Sequence, residues 1–295
     1  MTNHAGSAGE TERAGQAERA PQAERAGQAE RAEGAERTGR ADRPGRADHH
    51  IGLIVPSSNL TMETELPRML RAREEALPGD RFVFHSSRMR MQKVTPEQLK
   101  EMNAQTERAA LELADARPDI VATACLVAIM AQGPGHHCAA EDEITAVLDG
   151  QGAPAPVVSS AGALLAGIGA LGAKRVAVIT PYMKPLTETV VNYIEDAGTE
   201  VVDSLSLEVP DNLAVARLDP HGLRDHWRRL DLTRADAIVL SACVQMPSLS
   251  AVQYVEDASG LPVLTAATAT TYRILAELGL ETRVPDAGAL LNGDC

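Results

Sequence analysis

Two short stretches of this chain occur twice, and that repetition limits the possible fold more than any other feature. Ile51-Gly-Leu-Ile-Val-Pro-Ser57 matches Val176-Ala-Val-Ile-Thr-Pro-Tyr182, each an aliphatic run closed by proline and a small loop. Further on, Asp119-Ile-Val-Ala-Thr-Ala-Cys125 matches Ala237-Ile-Val-Leu-Ser-Ala-Cys243. The two prolines are 125 residues apart and the two cysteines 118, so two similar units about that far apart account for both pairs. Short aliphatic runs predict strands at 51–55, 81–86, 119–123, 156–159, 175–180, 200–205, 237–241 and 262–264. Amphipathic patterns predict helices near 61–75, 96–116, 139–149, 160–172, 183–197, 221–230, 248–259 and 266–279. Strands alternating with helices of that length form parallel sheets covered on both faces. The expected class is α/β: two pseudo-symmetric, three-layer halves, 51–159 and 160–285, with helix 160–172 shared across their joint and a tail at 286–295.

Residues 1–50 stand outside that scheme, because after Met1 no large aliphatic or aromatic side chain occurs before Ile51. They repeat a hexapeptide of the Ala17-Glu-Arg-Ala-Pro-Gln22 type, with Gly or Pro in nearly every copy. A period of six does not match a helix, and nothing apolar offsets the ordering entropy, so a disordered leader is expected. The net charge of −13 resides almost wholly in the remainder, and the chain has only four Tyr, two Phe and one Trp. Such a body suits neither phosphate backbones nor base stacking nor anionic lipid, which argues against nucleic-acid and membrane partners. The longest apolar stretch, Ala161 to Ala173, is too short to span a bilayer. Four cysteines in 295 residues make no disulfide framework, and a reducing cytoplasmic location is expected.

The paired cysteines carry the chemistry. Cys125 and Cys243 each follow an aliphatic strand, at the carboxyl edge where open α/β sheets place their ligand crevices. One such cysteine reads most simply as a small hydrophobe, but two at matching places in echoing halves read as a functional pair. A thiol beside a helix start is expected to ionise more easily, and lowering its pKa by about 2 units makes it mostly thiolate. Facing thiols suit a reaction in which one group attacks or deprotonates while the other delivers a proton. Neither cysteine has a second ligand at zinc-finger spacing, and His136-His137-Cys138 are too close in sequence to face one ion, so no metal is expected. Gly133-Pro134-Gly135 reads as a rigid turn, Trp227 as helix packing and Cys295 as inert.

The loops near the thiols offer neutral donors rather than cations: Pro56-Ser57-Ser58-Asn59, Pro181-Tyr182 and Val209-Pro-Asp-Asn212. Backbone N–H groups and side-chain amides at a helix start can hold a carboxylate without arginine. The Ser-Ser-Asn segment serves equally well as a simple helix cap. The overall negative charge opposes an anionic substrate only weakly, because distant charges are screened beyond about 8 Å.

Three motifs in order give the chain a likeness: Gly52-Leu-Ile-Val-Pro-Ser-Ser-Asn59 with Met62-Glu-Thr-Glu65, Ala124-Cys-Leu-Val-Ala-Ile-Met-Ala-Gln-Gly-Pro-Gly135, and Ser241-Ala-Cys-Val-Gln-Met-Pro247. With them it resembles the maleate cis–trans isomerases of the aspartate/glutamate racemase superfamily over roughly residues 50–285. The resemblance implies an active site between the halves, no cofactor, and a small dicarboxylate, maleate, as substrate. It implies Cys125 as nucleophile and Cys243 as proton donor. It makes Asn59, Tyr182 and Asn212 carboxylate-binding or loop-ordering residues, joined by backbone groups at Leu126, Val127, Val244 and Gln245. It further implies a homodimer or higher homo-oligomer. Alternatives on the same scaffold are an amino-acid racemase and an arylmalonate-type decarboxylase; outside catalysis, a dicarboxylate-binding protein remains.

Overall fold

Two four-stranded, wholly parallel sheets organise the described residues, 47–295, of the computed structural model. The first contains β1 (Ala47–Pro56), β2 (Asp80–Met89), β3 (Ile120–Thr123) and β4 (Val157–Ser159) in the order β2-β1-β3-β4. The second contains β5 (Arg175–Thr180), β6 (Glu200–Ser206), β7 (Ala237–Ser241) and β8 (Val263–Thr265) in the order β6-β5-β7-β8. The orders coincide when β1 is laid on β5, so the sequence echo is a fold echo. Strands β3, β4, β7 and β8 are buried at every residue, the pattern of a parallel sheet covered by helices. The hexapeptide leader lies, up to residue 46, outside the described residues.

The helices are α1 (Met62–Ala76), α2 (Pro96–Asn103), α3 (Thr106–Ala114), α4 (Leu126–Met130), α5 (His136–Gly150), α6 (Ser160–Ala170), α7 (Lys184–Asp196), α8 (Asn212–Ala216), α9 (Leu223–His226), α10 (Leu249–Ser259) and α11 (Ala266–Glu277). Among the described residues, no helix is long and apolar enough to cross a membrane. The last strand of each sheet runs directly into a capped helix. Ser159 accepts from Gly162 N–H ahead of α6, and Thr265 forms a reciprocal box with Thr268 ahead of α11. These two helices pack on each other at the joint, where α11 reaches β3 and β4 of the first sheet and α6 reaches β8 of the second. Gly167 permits the approach: a Cβ there would stand 3.0 Å from Leu290 Cδ2 and 3.2 Å from Ala269 Cβ.

Three expectations differ in detail. Strand β1 starts at Ala47, four residues before Ile51, because backbone pairing with β2 continues past the apolar stretch. There His49 Nε2 meets Asp80 Oδ1 at 3.0 Å and the His50 ring stacks on His85. The single helix expected over 96–116 is broken between α2 and α3. Gln105 supplies the break by pairing with both backbone groups of Arg90, at 2.9 and 3.2 Å, a tertiary contact invisible to periodicity. The pattern at 221–230 resolves into α9 flanked by 3-10 turns at Pro220–Gly222 and Trp227–Arg229.

Candidate active site

Parallel strands bring their carboxyl ends to one side, and here both sheets deliver loops to one shared cavity. Ala124 N–H bonds Ile54 O at 2.9 Å and Ala242 N–H bonds Ile179 O at 3.0 Å, so each central strand positions the following cysteine in the same way. The cavity offers about 340 Å³ of space between atoms, part of it open to solvent. All nine residues singled out from the sequence line it: Asn59, Cys125, Leu126, Val127, Tyr182, Asn212, Cys243, Val244 and Gln245. Pro56, Met91 and Val94 complete the lining. Met91 and Val94 were not anticipated, since isolated apolar residues in a loop carry no motif. They arrive because β2 runs to Met89, beyond the expected end at 86, and Ser57 Oγ then holds both backbone groups of Met91.

The sulfurs sit in unequal surroundings. Cys125 and Cys243 are free, buried thiols, 8% and 5% exposed. Cys125 adopts φ 75° and ψ 57°, a left-handed conformation that costs a non-glycine residue about 1 kcal/mol, directly before α4. The start of α4 leaves the Leu126 and Val127 N–H groups without intrahelical acceptors. The expectation of a readily ionised Cys125 is corrected: burial pushes its pKa up to about 12, the Ala128 N–H opposing this and the nearby Cys243 adding to it. A five-residue helix start does not offset the loss of water around an anion. Burial also raises Cys243, but against more donors: the Tyr182 hydroxyl and the backbone N–H groups of Gln245 and Met246. The Gln245 N–H lies 3.4 Å from Cys243 Sγ.

The neutral donors divide their work. Asn59 Oδ1 accepts from the Thr61 and Met62 N–H groups at 2.9 Å each, which braces the entry to α1, and the residue lines the cavity. The reading of the Ser-Ser-Asn loop as a support for the helix start is the one these bonds realise. Buried Tyr182 is hydrogen-bonded to Cys243, and the loss of water together with the two thiols holds its pKa well above the ordinary value. Asn212 is carried in by residues 207–209, which bond back to Thr180, Pro181 and Tyr182. Its Nδ2 donates to Ser58 Oγ at 2.8 Å.

Two braces join the halves beside this cavity. Glu65 of α1 accepts from the N–H groups of Ser248 and Leu249 at 2.7 and 2.8 Å, capping α10 from the opposite half. Tyr193 of α7 does the converse, its hydroxyl meeting His137 N and Nδ1 at 3.1 and 2.6 Å at the start of α5. The His136-His137-Cys138 run thus serves packing, with Cys138 exposed.

Comparison with known proteins bears on what this arrangement is for. Residues 51–291 match the family model described as arylmalonate decarboxylase. A maleate isomerase of Geobacillus stearothermophilus is 58% identical over 243 residues, covering 82% of this chain and 97% of that protein. The chain belongs to the maleate isomerase family. A solved structure of a Cys-to-Ala variant of the Pseudomonas putida S16 maleate isomerase, with maleate, superposes with a TM-score of 0.83 at 53% identity, covering 84% of this chain and 99% of that one. A Cys-to-Ser variant of the Nocardia farcinica maleate cis–trans isomerase carries a covalently bound succinylcysteine intermediate. It matches at TM-score 0.81 and 49% identity, covering 84% of this chain and all of that one. These family members are cis–trans isomerases, in accord with the class expected from the three motifs.

Proposed function

We propose that this chain converts maleate to fumarate without a cofactor, by reversible covalent addition. The observation that carries the reading is the pair of buried thiols, one from each half, on one cavity lined by neutral amide donors. The maleate and succinylcysteine of the relatives support the same substrate and the same kind of adduct.

On binding, Cys125 gives its thiol proton to solvent water, and the resulting thiolate attacks one alkene carbon. The sulfur–carbon bond forms, the π bond breaks, and its electron pair moves to the neighbouring carbon, where the adjacent carboxylate shares the charge. Cys243 protonates that carbon, leaving a succinyl thioether whose central bond is now single and rotates. Cys243 thiolate then removes the proton, the π bond re-forms, and Cys125 departs from fumarate. Atoms and electrons balance with no oxidant or reductant.

The unequal surroundings fit these roles. A thiolate with few donors is a strong nucleophile, because nucleophilicity rises with pKa. A proton donor needs its conjugate base stabilised, and Cys243 faces Tyr182 and two N–H groups. The amides of Asn59 and Asn212, with the N–H groups of Leu126, Val127 and Val244, are assigned to the two carboxylates. Both thiols must stay reduced, which a reducing compartment ensures. A decarboxylase would leave one thiol without a task.

The test is mass spectrometry of protein quenched during turnover of maleate, with proton NMR of the product. A succinyl adduct on the Cys125 peptide together with fumarate supports the proposal. Unmodified Cys125 during full turnover, or normal turnover by Cys125→Ala protein, overturns it.

A further inference from the structure

We infer that the Gln245 side chain is a positioning strut that sets the separation of Asn59 and Asn212, and through it the fit of a cis-dicarboxylate. This rests on the reading of the cavity as a diacid site. Gln245 is buried and stands two residues beyond Cys243. Its Oε1 accepts from the Leu60 N–H at 3.0 Å. Its Nε2 donates to Ser58 O and to Asn212 O, each at 2.9 Å. Both amide hydrogens are thereby committed to loop backbone, so the side chain has no donor left for a ligand. The bonds run from the second half to the residues on either side of Asn59 and to Asn212 itself. Gln245 O also accepts from Thr61 Oγ1 at 2.7 Å, and Asn212 Nδ2 closes the circuit on Ser58 Oγ.

One amide thus ties together three loops from two halves. Asn59 is fixed on α1 by its own Oδ1, and Asn212 opens α8. Among the described residues, the side-chain hydrogen bonds that link the two run through Gln245 and Ser58. The backbone N–H that meets Cys243 is independent of the side chain, so the strut and the sulfur contact are separable.

Steady-state kinetics on maleate with the full chain provide the test. Gln245→Met keeps length and burial and removes all three side-chain bonds. The expected result is a KM raised about tenfold or more with kcat within about threefold of wild type, the signature of lost binding rather than lost chemistry. Ser58→Ala, at a half-buried loop position, should raise KM in the same direction by a smaller factor. Unchanged KM in Gln245→Met, or a fall in kcat at unchanged KM, overturns the inference. If Gln245→Met fails to fold, an unchanged KM in Ser58→Ala overturns it. If wild-type protein does not turn over maleate, the substrate reading fails alone. Hydrogen exchange at the Leu60 amide then decides: faster exchange in Gln245→Met, or in Ser58→Ala should Gln245→Met not fold, upholds the strut, and wild-type protection ends it.

Discussion

The two halves share a topology, but they do not contribute alike. After β1 comes Asn59, and after the matching β5 comes Tyr182. After β2 come the apolar Met91 and Val94, and after β6 comes the amide of Asn212. After β3 Cys125 sits in a left-handed turn, whereas Cys243 after β7 does not. The first half presents a thiol with one backbone donor. The second presents a thiol with three donors, one of them a phenol. The repeated topology supplies the placement of two sulfurs; the different flanking loops give them unequal surroundings. A symmetric pair suits a reaction that is the same in both directions, and an unsymmetric pair suits an addition in which one sulfur bonds carbon and the other moves a proton.

The largest expected effect breaks that comparison outright. Cys125→Ala should lower kcat/KM by about ten-thousand-fold and abolish the adduct. Cys243→Ser should also abolish turnover while leaving a succinyl adduct on Cys125. If mass spectrometry finds the adduct on residue 243 instead, the assignment of tasks is inverted.

Alkylation sharpens the contrast. A thiol with a folded pKa of about 12 is neutral through the physiological range. Iodoacetamide labelling of the Cys125 peptide should therefore rise about tenfold per pH unit from 7 to 9.5 without levelling off. The sign for stability follows: a thiol whose pKa is raised on folding contributes fully below its unfolded value of about 9. That contribution is lost as pH rises toward 12. A plateau below pH 8 would show a thiolate already formed in the free protein.

Removing the phenol tests the second half alone. Tyr182→Phe deletes a donor to Cys243 and should lower kcat by about ten- to hundredfold, by analogy with loss of one charge-stabilising donor. It should leave formation of the Cys125 adduct intact. Equal loss of adduct and turnover would place Tyr182 with Cys125 instead.

The smallest effects concern stability. Cys125→Gly should be more stable than Cys125→Ala by about 1 kcal/mol in urea unfolding, because glycine tolerates the left-handed turn. At Cys243 the order should reverse. For the braces, Glu65→Ala should cost about 2 kcal/mol, since it strands the Ser248 and Leu249 N–H groups. Tyr193→Phe should cost about 1 kcal/mol. Burial pushes the Glu65 carboxyl above its ordinary pKa, so Glu65→Gln should be milder than Glu65→Ala.

Much of this was legible in the chain. Runs of three to six residues located the strands, and 175–180 and 237–241 agree with β5 and β7 residue for residue. Strand ends and donor loops pointed to Cys125, Cys243, Asn59, Tyr182 and Asn212, because a parallel sheet sends every strand end to one side, and the family resemblance added Leu126, Val127, Val244 and Gln245; all nine line the cavity. Short helices such as α4 and α8 escaped notice, since five residues contain too few turns to show a period. Met91 and Val94 escaped for want of any local signature.

The sequence alone determined which atoms could react, because thiols, amides and their order along a doubled α/β pattern are matters of covalent identity. Only the tertiary structure decided how they behave. Burial raised the thiols that a helix start was expected to lower, and the fold set the Tyr182 hydroxyl against Cys243. Proton affinity, unlike composition, depends on the water removed and the donors brought near, and residues distant in sequence supply both.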